Sequence, residues 1–152
     1  MAMKETPDKE HLEQLLRSSR LVAGGFLGDD TRGVDEIVEA DTGAVFSLGR
    51  TTVEIAERMR VVSEQARRGL GTWVRIDATH RAMMQEARGE LVCPWPHPGY
   101  FHKAVTTVQR TDTGETVEFS DLNIHMVEAH GFFEGRGSRF RIEPERLIRV
   151  LF

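Results

Sequence analysis

The apolar pattern of this chain changes period at one place, the Gly69-Leu70-Gly71 corner, and that change constrains the fold class more than any other feature. Ahead of the corner apolar residues recur at helical spacing, and beyond it they alternate. Leu12, Leu15, Leu16 and Leu21 predict a helix over about 8–20, with Pro7 near its first turn, where a missing amide hydrogen costs nothing, and Gly24-Gly25 breaking the chain after it. A loop over 26–33 leads to a short predicted helix over 34–40, with Ile37 and Val38 inward and Gly43 as its end. The clearest helix is predicted over 52–68. Thr51 and Glu54 have capping-box spacing, Ile55, Met59, Val62 and Ala66 fall on one face, Arg67 and Arg68 suit the negative end of the dipole, and Gly69 and Gly71 stop it.

After the corner, residues 72–76 read as a strand and 79–88 fit either a helix or a second strand. Residues 90–93 read as a strand that Pro94, Pro96 and Pro98 end. The β-branched run from Lys103, the Asp112-Thr113-Gly114 turn and the return over 115–119 predict a hairpin. Ser120 is a good N-cap for a helix over 121–130, with Asp121 in its first turn and Gly131 at its C-terminal stop. A short strand over 139–142 and a final helix opened by Pro144, with Leu147, Ile148 and Leu151 as its apolar residues, complete the pattern. Helices first, then strands with two late helices, predict an α+β fold: an N-terminal helical layer packed on a small antiparallel sheet, with a hairpin-helix unit bearing cysteine and histidine. The 152 residues are expected to form one domain, 1–152, with a helical part over 1–70 and a strand-rich part over 71–152.

Composition narrows the function classes. The net charge of −4 argues against general nucleic-acid binding, which uses a basic excess to displace counterions. The charge is uneven, however: Arg136, Arg139, Arg141, Arg146 and Arg149 crowd the last segment and leave a local anion site open as a reading. Only Lys4, Lys9 and Lys103 are lysines and Asn123 is the only asparagine, a bias that a GC-rich bacterial genome would produce. Cys93 is the only cysteine, so no disulfide forms within the chain. With no apolar signal segment at the N-terminus and no apolar run of membrane-spanning length, a reducing cytoplasm is the expected compartment.

The residues with most chemistry are Cys93-Pro-Trp-Pro-His97, His102, and His125-Met-Val-Glu-Ala-His130. Zinc takes thiolate sulfur and imidazole nitrogen in a tetrahedron, and short loops often supply two ligands each. Cys93 and His97 stand on a stiff knuckle of prolines. His125 and His130 lie about 140° apart around an ideal helix, workable for one ion because the predicted helix ends at His130 and its last turn can tighten or loosen. Cys93, His97, His125 and His130 would make a closed zinc site, with His102 as an alternative to His97. The same residues also read without a metal: His125 as a core-facing ring, His130 as a cation at a helix end, Cys93 as a small buried hydrophobe.

Residues 115–131 resemble the hairpin-helix of a two-Cys, two-His zinc finger, through Leu122-x-x-His125-x-x-x-x-His130 after a hairpin. The resemblance implies zinc-ligand roles for His125 and His130 alone. Cys93 and His97 stand in place of that family's paired cysteines, and the gap from His97 to His125 is more than twice the family's, which removes the warrant for base reading by the helix.

Three functions follow as expectations. The first is a binding or interaction module, with a protein partner, stabilised by one structural zinc. The second is a small metal-dependent hydrolase, if only three ligands bind and Glu128 or Asp121 serves as base. The third is a nucleic-acid-associated accessory protein using the C-terminal arginines. The Gly135-Arg136-Gly137-Ser138-Arg139 loop reads as a phosphate cradle or a solvated turn. Trp95, Tyr100, Phe101, Phe132 and Phe133 read as a partner surface or as the core that pins the knuckle to the helix. Asp29, Asp30, Asp35 and Glu36 read as a hard-metal site or as a capped, solvated helix start.

Overall fold

A computed structural model describes residues 7–22 and 24–152. The element order is α1 (Pro7–Arg17), α2 (Val34–Ser47), α3 (Thr52–Arg67), β1 (Val74–Asp77), β2 (His80–Leu91), β3 (Phe101–Arg110), β4 (Thr116–Ser120), α4 (Asp121–His130) and α5 (Pro144–Leu151). The fold is α+β. The strands form an antiparallel meander in the order β1-β2-β3-β4, and the N-terminal helices precede it. No helix among the described residues is long and apolar enough to cross a membrane.

Local chemistry explains most boundaries. Thr51 accepts a hydrogen bond from the Glu54 amide at 3.1 Å and caps α3, whose Ile55, Ala56, Met59, Val62 and Ala66 are all buried. α2 runs past Gly43 to Ser47, where the sequence predicts an end. A mid-helix glycine costs about 1 kcal/mol. Continuing one more turn buries Val45, and full burial of such a side chain is worth about 1.5–3 kcal/mol, so burial wins. The ambiguous stretch 79–88 belongs almost wholly to β2, with His80, Ala82 and Met84 alternating inward; of the strand expected over 90–93 only Glu90 and Leu91 are strand, as the far end of the same element, and Val92 and Cys93 lie beyond it. Between Glu86 and Glu90 the register shifts: residues 87–89 of β2 face a single residue, 103, of β3. Gly89, at φ 106°, takes the backbone conformation this bulge requires.

The expected strand over 139–142 is absent; those residues form a turn and irregular backbone. Arg141 points inward instead, where it binds the Asp41 carboxylate, the Glu134 carbonyl at 2.8 Å and Glu143 at 2.9 Å. Arg141 and Asp41 side chains are each only 7% exposed, so a buried, charge-assisted pair rather than a strand ladder ties this segment down.

Two apolar clusters form. The larger lies between the sheet and α3, α4 and α5, and includes Met59, Ala82, Val108, Phe119, Ile124, Val127 and Leu147. The smaller gathers Leu16, Phe26, Leu27, Val34, Ile37, Cys93, Leu122, Met126 and Phe132. α4 belongs to both: Ile124 and Val127 serve the first, Leu122 and Met126 the second. His125 and His130, half-buried, are therefore carried by a helix clamped on two sides.

The glycine-rich loop closes the smaller cluster. The Gly135 amide donates to Phe26 O at 2.8 Å and the Asp29 amide to Arg136 O at 3.1 Å. A side chain at 135 would put its Cβ 2.4 Å from the Leu27 carbonyl oxygen, so only glycine permits this approach. The Arg136 amide donates to Asp30 Oδ2 at 3.1 Å, and Arg32 donates to the same carboxylate at 2.8–3.0 Å. The Asp30 carboxyl is held well below the usual carboxylate range, chiefly by its hydrogen bonds from the Arg32 guanidinium. The loop thus holds an anion, and the anion is the chain's own Asp30. Asp35 pairs with Lys9, so Asp30 and Asp35 of the acidic segment both have cationic partners within the chain.

Candidate metal centre

α4 is positioned by a reciprocal cap. Ser120 Oγ accepts from the Asn123 amide at 3.1 Å, and Asn123 Oδ1 accepts from the Ser120 amide at 2.8 Å. Asn123 Nδ2 then donates to the buried Glu134 carboxyl, tying the first turn of α4 to the loop after its end. At the other terminus Gly131, at φ 61°, reverses the chain, and the Phe132 amide reaches back to Met126 O at 3.1 Å. His130 is thus the last residue of the helix. With no further turn above it, its ring can meet that of His125.

The other two donors come from the connector between β2 and β3. Its three prolines lack amide hydrogens and cannot extend the sheet ladder. Cys93 is buried at 3% exposure within the smaller cluster. Trp95 stacks on the His130 ring, with centroids 4.1 Å apart and planes 7° apart, and meets Phe132 edge-on. Phe101 tilts over His125 at 4.5 Å.

The four donor atoms of Cys93, His97, His125 and His130 all lie within 4.8 Å of one another. His125 Nε2 is 3.0 Å from His97 Nε2, His130 Nε2 is 3.4 Å from His97 Nε2, and Cys93 Sγ is 3.5 Å from His130 Nε2. Bond lengths of about 2.0–2.1 Å to nitrogen and 2.3 Å to sulfur at a tetrahedral angle imply N···N near 3.3 Å and N···S near 3.6 Å. The three separations match that pattern. A buried cluster of this kind can hold a metal ion.

The protons of the site point the same way. His97 Nδ1 lies 3.0 Å from the Pro98 carbonyl. That oxygen can only accept, so Nδ1 carries a hydrogen and Nε2 is the nitrogen turned toward the cluster. Such a second contact fixes the tautomer and aim of a metal-binding imidazole. Burial, followed by the neighbouring rings, lowers the pKa of His125 and brings that of His130 down to about 4, which keeps both rings neutral and able to donate a lone pair. Burial pushes the Cys93 thiol up, an effect a bound cation would reverse.

All four residues singled out by spacing meet here. His102 does not join them: it is exposed on β3, opposite Glu90. The aromatic group divides. Phe132 and Phe133 are core, Trp95 and Phe101 pack against the histidine rings, and Tyr100 is exposed. The two carboxylates considered as bases are engaged, Glu128 by Arg60 at 3.0 Å and Asp121 by Arg67 at 3.3 Å. The C-terminal arginines are largely spent on acids and carbonyls: Arg139 on Glu118, Arg141 on Asp41, Arg146 on Thr116 O and Arg149 on Glu115. Asn123 and Glu134, which hold α4 in place, carried no signal in the sequence beyond the cap at Ser120. No known protein family, curated protein or solved structure matches the chain, and no zinc-finger family is recognised in it.

Proposed function

We propose that the chain is a binding or interaction module organised by one structural zinc ion, with Cys93, His97, His125 and His130 as its ligands. The observation that carries this reading is the convergence on His97 Nε2. It faces two other imidazole nitrogens, at 3.0 and 3.4 Å, close to the separations that a shared tetrahedral ion imposes. A cation at the centre satisfies every donor at once. The set of three imidazoles and one thiolate suits zinc, which accepts both ligand types without a strong geometric demand of its own.

Four protein ligands close a zinc sphere, whereas catalysis needs an open position for water. The ion pairs at Glu128 and Asp121 further disfavour the hydrolase reading, and the paired arginines disfavour the nucleic-acid one. The zinc would tie the proline-rich connector to α4 and so hold the smaller cluster together.

Elemental analysis of protein purified without chelator is expected to find about one zinc per chain, a full four-ligand site. Cobalt substitution is expected to give the visible spectrum of a tetrahedral ion with a thiolate charge-transfer band that Cys93→Ser removes. If Cys93→Ser and His125→Ala both keep the metal content and thermal stability of the parent, the reading is wrong.

A further inference from the structure

The connector over 92–100 is attached to the rest of the molecule in an unusual way. Beyond the Leu91–Phe101 pair, its one backbone–backbone hydrogen bond among the described residues is internal, from the His97 amide to Trp95 O at 2.9 Å. Pro94, Pro96 and Pro98 have no amide hydrogen to offer. His97 Nδ1 turns back to Pro98 within the same segment. The anchoring to the body is therefore made by side chains, and these converge on one place: Cys93 on His130, Trp95 on His130 and Phe132, His97 on His125 and His130. Pro96, Pro98, Gly99 and Tyr100 are exposed, so solvent is already at hand for a segment that lifts. The larger cluster contains no residue of the connector.

Resting on the zinc reading of the site, we infer that the connector is a metal-latched strap. A divalent cation holds it down over the Leu122–Met126 side of α4 and Phe132. Loss of the cation leaves the half-buried imidazole nitrogens, 3.0 and 3.4 Å from His97 Nε2, held together by hydrogen bonds alone. Water then competes for the His97 ring and the Cys93 thiol, and the strap opens about its two ends at Leu91 and Phe101. The sheet with α3 and α5 stays folded, because the larger cluster that packs them together holds no residue of the strap. The molecule would thus present an apolar surface under the control of metal availability, a local opening rather than global unfolding.

Hydrogen exchange read by mass spectrometry tests this on the whole chain, first loaded with inorganic zinc and then treated with a chelator. The reporting amides are those of Cys93, Trp95 and His97, which are buried or half-buried residues of the strap. Chelation is expected to speed their exchange by about tenfold or more, the scale of a local opening, while Ala82, Met84, Ala104 and Val108 keep their protection, and added zinc restores the slow exchange. In a Trp73→Phe background, Trp95 emission is expected to shift to the red with the same metal dependence. Unchanged exchange in the strap while zinc content falls from one equivalent to none overturns the latch and leaves the zinc site standing. Loss of protection throughout the chain also overturns it, since the ion would then hold the whole fold. Failure to take up zinc at all removes the site and the latch together.

Discussion

Glu134 supplies a proton-linked stability change whose size follows from its surroundings. The residue is 3% exposed and sits at φ 67°, a conformation unusual for a side chain other than glycine. Burial lifts its carboxyl from the ordinary 4.5 to about 7, against the opposing effects of the Asn123 hydrogen bond and Arg141. A carboxyl whose folded pKa is raised stabilises the fold fully below the unfolded value, and that stability is lost as pH rises through the folded value. With 1.36 kcal/mol per pKa unit, the loss between pH 5 and pH 8 comes to about 2.5 kcal/mol. Urea unfolding at both pH values, for the parent and for Glu134→Gln, isolates this contribution, because the other titrating groups are common to the two proteins. Glutamine keeps an oxygen for Asn123 but cannot ionise. The difference in stability between the two is expected to shift by about 2.5 kcal/mol over this range, with the glutamine variant gaining on the parent as pH rises. A difference that does not change with pH would refute the argument that burial governs this group.

Two further substitutions probe the frame around the metal centre. Gly131→Ala forces a Cβ into left-handed backbone, at roughly 1–2 kcal/mol, and places it 2.7 Å from Thr42 Cγ2. Thermal unfolding should show the loss, zinc affinity should fall with it because His130 is the neighbouring residue, and Thr42→Ser, which lacks that methyl group, should recover part of both. Arg141→Met leaves the Asp41 carboxylate buried without its partner and is expected to cost about 3–5 kcal/mol in urea unfolding. Combining it with Asp41→Leu should cost clearly less; a double variant as unstable as the single one would count against the uncompensated charge as the cause.

Much of the local structure was legible because it depends on neighbours in sequence. The caps at Thr51 and Ser120, the stop at Gly131 and the β3–β4 hairpin are all set by residues a few places apart. The four donors were legible for a related reason: prolines confine Cys93 and His97 to one knuckle, and a helix end confines His125 and His130 to another. Where distant partners decide, sequence patterns fall short. α2 passes Gly43 because Val45 has a core to enter, and 139–142 is no strand because Asp41, a hundred residues earlier, draws Arg141 inward. The choice of His97 over His102 turns on the direction of β3, which points His102 into solvent. The Asn123–Glu134 link left no trace in any spacing rule, since neither residue type is expected inside a core.

The interlock of residues 26–30 with 135–136, together with the Asp41–Arg141 pair, has a consequence for synthesis on the ribosome. Leu16, Phe26 and Ile37 emerge early, yet the partners that cover them, Leu122, Met126 and Phe132, come about a hundred residues later. At roughly 5–20 residues per second, that apolar surface stays uncovered for several seconds or longer. The first third of the chain, which carries an excess of acids over bases, therefore gains its final cover only when the last third arrives.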